Sequence, residues 1–469
     1  MSINWNSIVK AYDVRGLVGT DLTVEVVQAI AAAFVDVVGL AGKNVVIGHD
    51  MRESSPAFAA AFASGVTARG ANALMLGLCS TDECYFASGQ LDAASAMFTA
   101  SHNPSTYNGI KLSRAGAQAI SLETGLADIR DLAARYLEHG FQTADQPGSV
   151  SSHSSLGDYA KFLRQMVDLS AIRPLRIVVD AANGMGGHTT PAVLANELGL
   201  GELPLEIIEL YFELDGSFPN HEANPLDPKN LVDLQAAVLS HGADLGLAFD
   251  GDADRCFVVD ELGQPVSPST IGAIVAVREI DRARALGEAQ PTVLYGHLTS
   301  RRFAETVLAN GALADRTRVG HSFIKAQMAQ TGAVFGAEHS AHYYFRDFWF
   351  ADSGMLAAMH VMKALGSGSQ TMSELAASYR NYPSSGEINQ VVKDSKAVIA
   401  RVESQFAERG ASLDVFDGLT VSSTTQDGQW WWFNLRSSNT EPLLRLNAEA
   451  SSQTALEQLI GDVLAVIGS

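Results

Sequence analysis

Short β-rich runs alternate with Ala-rich helical stretches over most of this chain, and that alternation limits the fold more than any other feature. "NVVIGHD", "SPAFAAAFASGVTARG", "NALMLGL", the helix-like "TDECYFASGQL" and a run ending in "AMFTAS" follow one another. The pattern predicts βαβ units on a mostly parallel sheet. It recurs after the polar stretch "GSVSSHSSLG", from "LRIVVDAANG" to "DLGLAFDGDADR", and again from "STIGAIVAVREIDRARALG" to "GMLAAMHVMKALGSG". Three such units suggest an ancient triplication. Beyond "NYPSSGE" the order changes to a strand, a charged helix, three strand-like runs in succession and a last helix, which favours an antiparallel α+β domain. The expected fold is three similar mixed α/β domains plus a C-terminal α+β domain around a central cleft, divided as 1–152, 153–258, 259–382 and 383–469. Tyr382 and Pro383 are expected at a hinge, because the residue before proline leaves helical space. "WWWFNL" reads as a core strand.

At 469 residues the chain exceeds one core, and roughly 150 residues per domain suggests about three units, with four allowed. The net charge of -20 argues against a nucleic-acid partner, so an anion can bind only where Arg, Lys and backbone N–H groups cluster. Cys79, Cys84 and Cys256 form no disulfide framework and lack zinc-ligand spacing, which fits a reducing, cytoplasmic setting. Neither "MSINWNSIVKAYD" nor "AIAAAFVDVVGLAG" has the pattern of a signal peptide or a membrane span.

"LGLAFDGDADRCFVVDELG" sets Asp250, Asp252 and Asp254 at alternate positions just past an apolar strand, where loops of an open α/β sheet project into a ligand crevice. Carboxylates this close repel unless a hard cation joins them, and Mg²⁺ prefers oxygen ligands. Asp250, Asp252, Asp254 and Glu261 also match four EF-hand ligand positions. The sixth position, however, is Arg255 rather than the turn-making Gly, and the flanks read as strands.

"NLRSSNTEPLLR" gathers Arg436, Ser437, Ser438, Asn439 and Thr440, donors suited to a dianionic phosphate. "FGAEHSAHYYF" alternates Glu338, Ser340 and His342, which would share one side of an extended strand and suit sugar hydroxyls. "MFTASHNPSTYNGIK" carries Ser101 without a G-x-S-x-G elbow, and His102 is poorly placed by adjacency to serve as its triad base. Beside a metal loop and a phosphate loop, Ser101 makes sense as a phosphoryl carrier that lends its group to a phosphorylated substrate.

"TASHNP", "DGDADR", "AEHSAH" and "RSSNTEP", in that order, resemble the four signature loops of the α-D-phosphohexomutase family, its bacterial phosphomannomutases in particular. The resemblance spans essentially the whole chain, including "YDVRG", "YNGIK" and "VGHSFIK". It implies a phosphoserine at Ser101 and Mg²⁺ held by Ser101, Asp250, Asp252 and Asp254. It also implies substrate contacts from Tyr12, sugar contacts from Glu338 and Ser340, phosphate contacts from the Arg436 loop, and a reacting centre lined by Arg15, His102, Lys111, Arg255, His321 and His342. Many relatives carry Gly where this chain has Ala253, Ala337 and Ala341, so methyl groups sit where the backbone must turn tightly.

The implied reaction interconverts mannose 6-phosphate and mannose 1-phosphate through phospho-Ser101 and a hexose 1,6-bisphosphate, which also serves as activator. The enzyme is expected to act as a monomer or weak homodimer on a hexose phosphate, with no nucleic-acid or membrane partner. Three alternatives stand beside it: a dual phosphomannomutase/phosphoglucomutase, a phosphoglucosamine mutase, and a catalytically silent sugar-phosphate-binding protein. Intact Ser101 and all three Asp argue against the last.

Overall fold

The computed structural model describes residues 3–380, 382–437 and 443–468. Four sheets follow one another along the chain. The first runs in the spatial order Val14–Leu17, Tyr107–Arg114, Ala94–Phe98, Asn44–His49, Asn72–Leu78, Val150–Ser152, with Gln118–Ala119 paired to Tyr107–Arg114. The second is ordered Pro265–Val266, Cys256–Asp260, Leu245–Phe249, Leu175–Asp180, Leu205–Leu210. The third is Leu313–Thr317, Thr292–Gly296, Phe335–Ala337, Tyr343–Phe345. In the fourth, Ser384–Val391, Leu443–Ala450, Trp430–Ser437, Leu419–Thr424 and Ser412–Asp414 are antiparallel throughout.

The first three sheets are mixed for one repeated reason. In each, a parallel strand is followed by a return strand that pairs antiparallel with it: Ala94–Phe98 with Tyr107–Arg114, Leu245–Phe249 with Cys256–Asp260, and Phe335–Ala337 with Tyr343–Phe345. The loops at these three reversals carry Ser101, the three aspartates and Glu338. Two expectations need correction. A division after residue 258 cuts the strand Cys256–Asp260, whose sheet continues to Val266. Glu338, Ser340 and His342 do not extend the strand before them, because Glu338 N–H donates to His342 O (3.0 Å) and Ala341 N–H to Glu338 O (3.1 Å), closing a turn.

Apolar packing divides the chain unequally. The first unit has its own core, including Phe34, Phe62 and Phe98, whereas the second and third share a continuous one that joins Val178 and Leu247 to Val293 and Met359. The C-terminal unit packs separately around Phe406, Phe433 and Val463. Within "WWWFNL", Phe433 and Leu435 are fully buried, as a core strand requires.

Units one to three meet at the helix Thr81–Gln90, which is capped by the Ser80 hydroxyl accepting from Glu83 N–H. Trp349 stacks on Phe162 (5.4 Å between centroids) and lies against Gly89, where a Cβ would stand 2.1 Å from the indole. Asp82 accepts hydroxyl hydrogen bonds from Ser80 (2.5 Å), Tyr159 (2.7 Å) and Ser353 (2.6 Å), one from each unit. Among the described residues, no helix is long and apolar enough to cross a membrane.

Burial pushes Asp82 up to about 6, and it pushes Glu83 up to about 7 although the Ser155 hydroxyl donates to it at 2.6 Å. An acid whose pKa rises on folding contributes stability below its unfolded value and loses it as the pH climbs through the folded one. Glu83 should therefore weaken the junction between about pH 4 and 7. Glu83→Gln is expected to raise the thermal midpoint at pH 8 and to raise it much less at pH 5. Equal shifts at the two pH values would mean that Glu83 ionises normally.

Candidate active site

Ser101 opens the first reversal loop with φ at +49°, left-handed space that a non-glycine residue occupies at a cost of about 1–2 kcal/mol. Its N–H donates to Thr99 Oγ1 (2.8 Å). The larger restraint is Arg52, 2% exposed, which was not foreseen as part of the site. Its guanidinium donates to the carbonyls of Ser101 (2.8 Å), Asn103 (2.7 Å), Pro104 (2.9 Å) and Tyr107 (3.0 Å), with Nε on Asp50 (3.2 Å). One buried fork thus satisfies the carbonyls of a whole loop and holds its serine outward. Arg15 steadies the same loop through Asn103 Oδ1 (2.6 Å) while paired with Asp13 (2.7 Å).

The second loop packs directly against the first. Gly251 has no alternative there, since a Cβ would lie 2.4 Å from Ser101 O, and its own carbonyl accepts from Met185 N–H (2.9 Å). Ser101 Oγ donates to Asp250 Oδ2 at 2.7 Å and lies 3.2 Å from His102 Nδ1. His102 therefore reaches the serine despite its adjacency. Arg255 Nη2, which can only donate, stands 2.8 Å from the same Nδ1, so that nitrogen is an acceptor and the proton sits on Nε2. Burial, with Arg255 and Arg15 nearby, holds His102 well below the usual histidine range.

Asp250, Asp252 and Asp254 are all buried, and each offers an oxygen within 4.8 Å of the others. Lys111 Nζ bridges Asp252 (2.7 Å) and Asp254 (2.6 Å), Arg255 holds Asp250 (2.9 Å), and Thr81 donates to Asp252 (2.5 Å). Burial alone would raise Asp252, but Lys111 outweighs it and keeps this carboxyl far below its ordinary value. Asp250 goes the other way, pushed up to about 7 by burial against the pull of Arg255. Asp252 Oδ1 and Asp254 Oδ1 are buried with no hydrogen-bond partner, and two such hard oxygens beside a third carboxylate fit a divalent cation.

The third loop approaches from the other side. His342 stands 3.8 Å from Asp254 and 4.0 Å from Glu338, with Nδ1 2.9 Å from Ser340 Oγ. Glu338 accepts from Gly320 N–H (2.9 Å) and the Tyr344 hydroxyl (2.6 Å). His321 sits edge-on to Tyr12 at 4.4 Å and is held well below its usual range by burial and by Lys325. Lys325, another unforeseen residue, pairs with Asp352 (2.8 Å) and caps the Tyr85 ring at 3.8 Å. The Ala substitutions turn as anticipated at two positions, Ala253 (φ +61°) and Ala341 (φ +68°), while Ala337 is ordinary strand.

Arg436 and Ser437 end the strand Trp430–Ser437; Ser438, Asn439 and Thr440 lie outside the described residues. Directly across the ladder from Arg436 stands Arg445, with a buried Nε that has no partner. Arg445 Nη1 lies 3.8 Å from Glu387 Oε2 on the strand at its other side, so two arginines stand opposite in register with one carboxylate beside them, a pairing of like charges that an anion would relieve. A lone Arg within "LLRLNAEA" was the available sign, but its significance depends on knowing the register.

Domain models described as phosphoglucomutase/phosphomannomutase alpha/beta/alpha domains I, II and III match residues 6–138, 157–263 and 267–382, and the family's C-terminal domain matches 387–466. Phosphohexose mutases of Xanthomonas campestris pv. campestris are 39% identical over 452 residues, 95% of this chain and 96% of theirs. A phosphomannomutase of Salmonella montevideo is 37% identical over 470 residues, 98% of each chain. A crystal structure of a phosphoglucomutase/phosphomannomutase family protein from Burkholderia thailandensis superimposes with a TM-score of 0.86 at 30% identity, covering 99% of this chain and 97% of the other. Four matched domains in order, and relatives alike from end to end, make this chain a member of the phosphoglucomutase/phosphomannomutase family, a phosphohexose mutase and so an intramolecular phosphotransferase.

Proposed function

We propose that the protein is a phosphomannomutase, interconverting mannose 6-phosphate and mannose 1-phosphate by way of phospho-Ser101 and a 1,6-bisphosphate. The observation that carries this reading is the meeting of a hydroxyl held in left-handed backbone with three buried carboxylates from another domain, Ser101 Oγ lying 2.7 Å from Asp250 Oδ2. Phosphomannomutases of similar length support the choice of sugar. A wider substrate range, with glucose phosphates accepted too, is the second reading, favoured by the similarity to phosphohexose mutases.

In this reading Asp250, Asp252, Asp254 and the phosphoryl group on Ser101 would hold Mg²⁺, which when bound would polarise the phosphoryl oxygens. The chain's own groups do the rest. Lys111, Arg255 and Arg15 surround the transferring group with positive charge in a site shielded from water, where charge spread over its oxygens is best compensated. His342 takes the proton of the attacking sugar hydroxyl, since His102 Nδ1 is already engaged by Arg255 and His321 faces Tyr12. The departing Ser101 oxygen takes up one proton for the one His342 removes from the sugar, so the step balances, and the free hydroxyl that results donates to Asp250 Oδ2. Glu338 has both oxygens fixed by Gly320 and Tyr344, yet keeps lone pairs for sugar hydroxyls, and Ser340 stands beside it. Arg436, with Ser437 and the loop Ser438, Asn439 and Thr440, grips the phosphate that is not reacting. The bisphosphate turns over between half-reactions, so one serine and one metal serve both, and added hexose 1,6-bisphosphate recharges enzyme that has lost its phosphoryl group.

Ser101→Ala should lower turnover on the order of 10,000-fold while leaving the thermal midpoint nearly unchanged, and intact mass should lose the phosphoryl adduct. A near-normal rate with bisphosphate supplied would exclude the covalent route. Asp252→Asn should weaken Mg²⁺ binding by at least about tenfold in calorimetric titration, because an amide replaces a charged ligand. Turnover that survives exhaustive chelation would assign the three carboxylates a structural role instead. Arg445→Ala should raise KM for mannose 1-phosphate about tenfold with little change in kcat, the loss of one charge-assisted contact. The thermal midpoint of the ligand-free protein should change little, because the substitution removes both the repulsion with Arg436 and the pairing with Glu387; a lower midpoint with unchanged KM would make Arg445 a packing residue.

A further inference from the structure

Arg436 and Glu338, assigned above to the distal phosphate and the sugar hydroxyls, belong to different domains, and a short run of contacts joins them. Gly418, with φ at +72°, lies against Arg436: a Cβ there would stand 3.2 Å from Arg436 Cβ and 2.9 Å from Leu435 O. The preceding residue, Asp417, accepts at its carbonyl from Asn434 Nδ2 (2.8 Å), which locks it to the strand that carries Arg436. Its side chain crosses to the third domain, where Oδ2 accepts from Val319 N–H at 2.7 Å. The next N–H in sequence, that of Gly320, donates to Glu338 Oε1 at 2.9 Å.

Two consecutive amides of one turn therefore bind two carboxylates, one in the arm and one in the sugar loop. Rigid peptide planes transmit a shift of either to the other. Gly320 has little room to absorb it, since a Cβ at this residue would meet Tyr12 and Phe323 at 3.3 Å. His321 follows at once and packs on Tyr12. Neighbouring contacts between the domains, Arg316 with Asp414 (2.7 Å) and with the Phe416 ring (5.8 Å), are more exposed and hold less firmly.

We propose that Asp417 is a positioning residue that couples phosphate capture by the C-terminal domain to the alignment of Glu338 for sugar hydroxyls. The proposal rests on the assignments of Arg436 and Glu338 made above. A phosphate gripped by Arg436 holds the C-terminal domain in place and so keeps Asp417 on Val319 N–H, which steadies the turn that supports Glu338. A free hexose offers Arg436 no charge to grip, so nothing it brings reinforces that contact. Binding energy from the distal phosphate is thereby converted into order at the sugar.

A double-mutant cycle on kcat/KM for mannose 1-phosphate tests the coupling. In the parent, Glu338→Ala and Arg436→Ala together are expected to cost at least about fivefold less than the product of their separate losses. In the Asp417→Ala background the two losses should multiply. Asp417→Asn, whose amide oxygen still accepts from Val319 N–H, should restore the parent behaviour, which a role in net charge alone would not produce, whereas Asp417→Leu, which fills the same space without an acceptor, should behave as Asp417→Ala, which a role in packing alone would not produce. The same coupling in parent and Asp417→Ala overturns the proposal, as do losses that multiply in the parent, and both results leave the site assignments standing. Single substitutions that leave kcat/KM unchanged overturn the site assignments, and the coupling with them.

Discussion

Everything near the cleft is arranged around a group of charges taken out of water. Asp250, Asp252 and Asp254 are almost completely buried, and two cations, Lys111 and Arg255, are paired with them. A buried charge without a partner costs several kcal/mol, so three carboxylates and two cations cannot rest alone in such a place. In the proposed reaction a divalent cation and a doubly charged phosphoryl group are added together, and their charges cancel each other. Stability and chemistry thus impose the same demand. The loop on the first domain must bring Ser101 against the loop on the second, closely enough that only Gly251 fits between them.

The threefold repetition explains how one fold meets that demand. Each α/β domain reverses its chain at the end of a parallel strand, and each reversal uses one non-glycine residue in left-handed space: Ser101, Ala253 and Ala341. Such residues strain the backbone and persist only where surrounding contacts over-determine them. Those contacts are visible. Arg52 ties four carbonyls of the first loop, Met185 and Thr81 hold the backbone of the second, and the Glu338–His342 pair closes the third. Three equivalent corners, turned toward one another, make a site that no single domain could supply.

How much of this could be read in the sequence follows from which contacts are local. Strand and helix order, and the placing of Ser101 and the three aspartates at strand ends, came from hydrophobic runs followed by polar clusters. The return strands were harder to see: "YNGIKLSR" is too polar to announce itself, and the boundary after residue 258 was drawn through "CFVVD". Alternation put Glu338, Ser340 and His342 on one strand face, whereas a left-handed Ala341 ends the extended backbone. The three converge all the same. Arg52 left no sign, because its partners are main-chain carbonyls about fifty residues away and carry no side-chain signature. Arg445 gains meaning only from register, and Lys325 only from Asp352 in three dimensions.

The C-terminal domain is joined on different physical terms. Its core is separate, and its contacts with the third domain are mostly polar: Glu449 accepts from Ser300 and from the Arg301 N–H at the start of a helix, His297 meets Thr420, and Arg316 pairs with Asp414. Arg301 lies over Trp430. When the domains part, water can take the place of each of these partners, so a neutral hydrogen bond here contributes about 0.5–1.5 kcal/mol net and one to the Glu449 carboxylate about 1.5–3 kcal/mol. The first three domains, by contrast, are joined through Trp349, Phe162 and Phe86, and parting them would expose large aromatic surfaces with no substitute in water. The same chain therefore joins its first three domains through buried aromatic surface and its fourth mainly through hydrogen bonds and ion pairs.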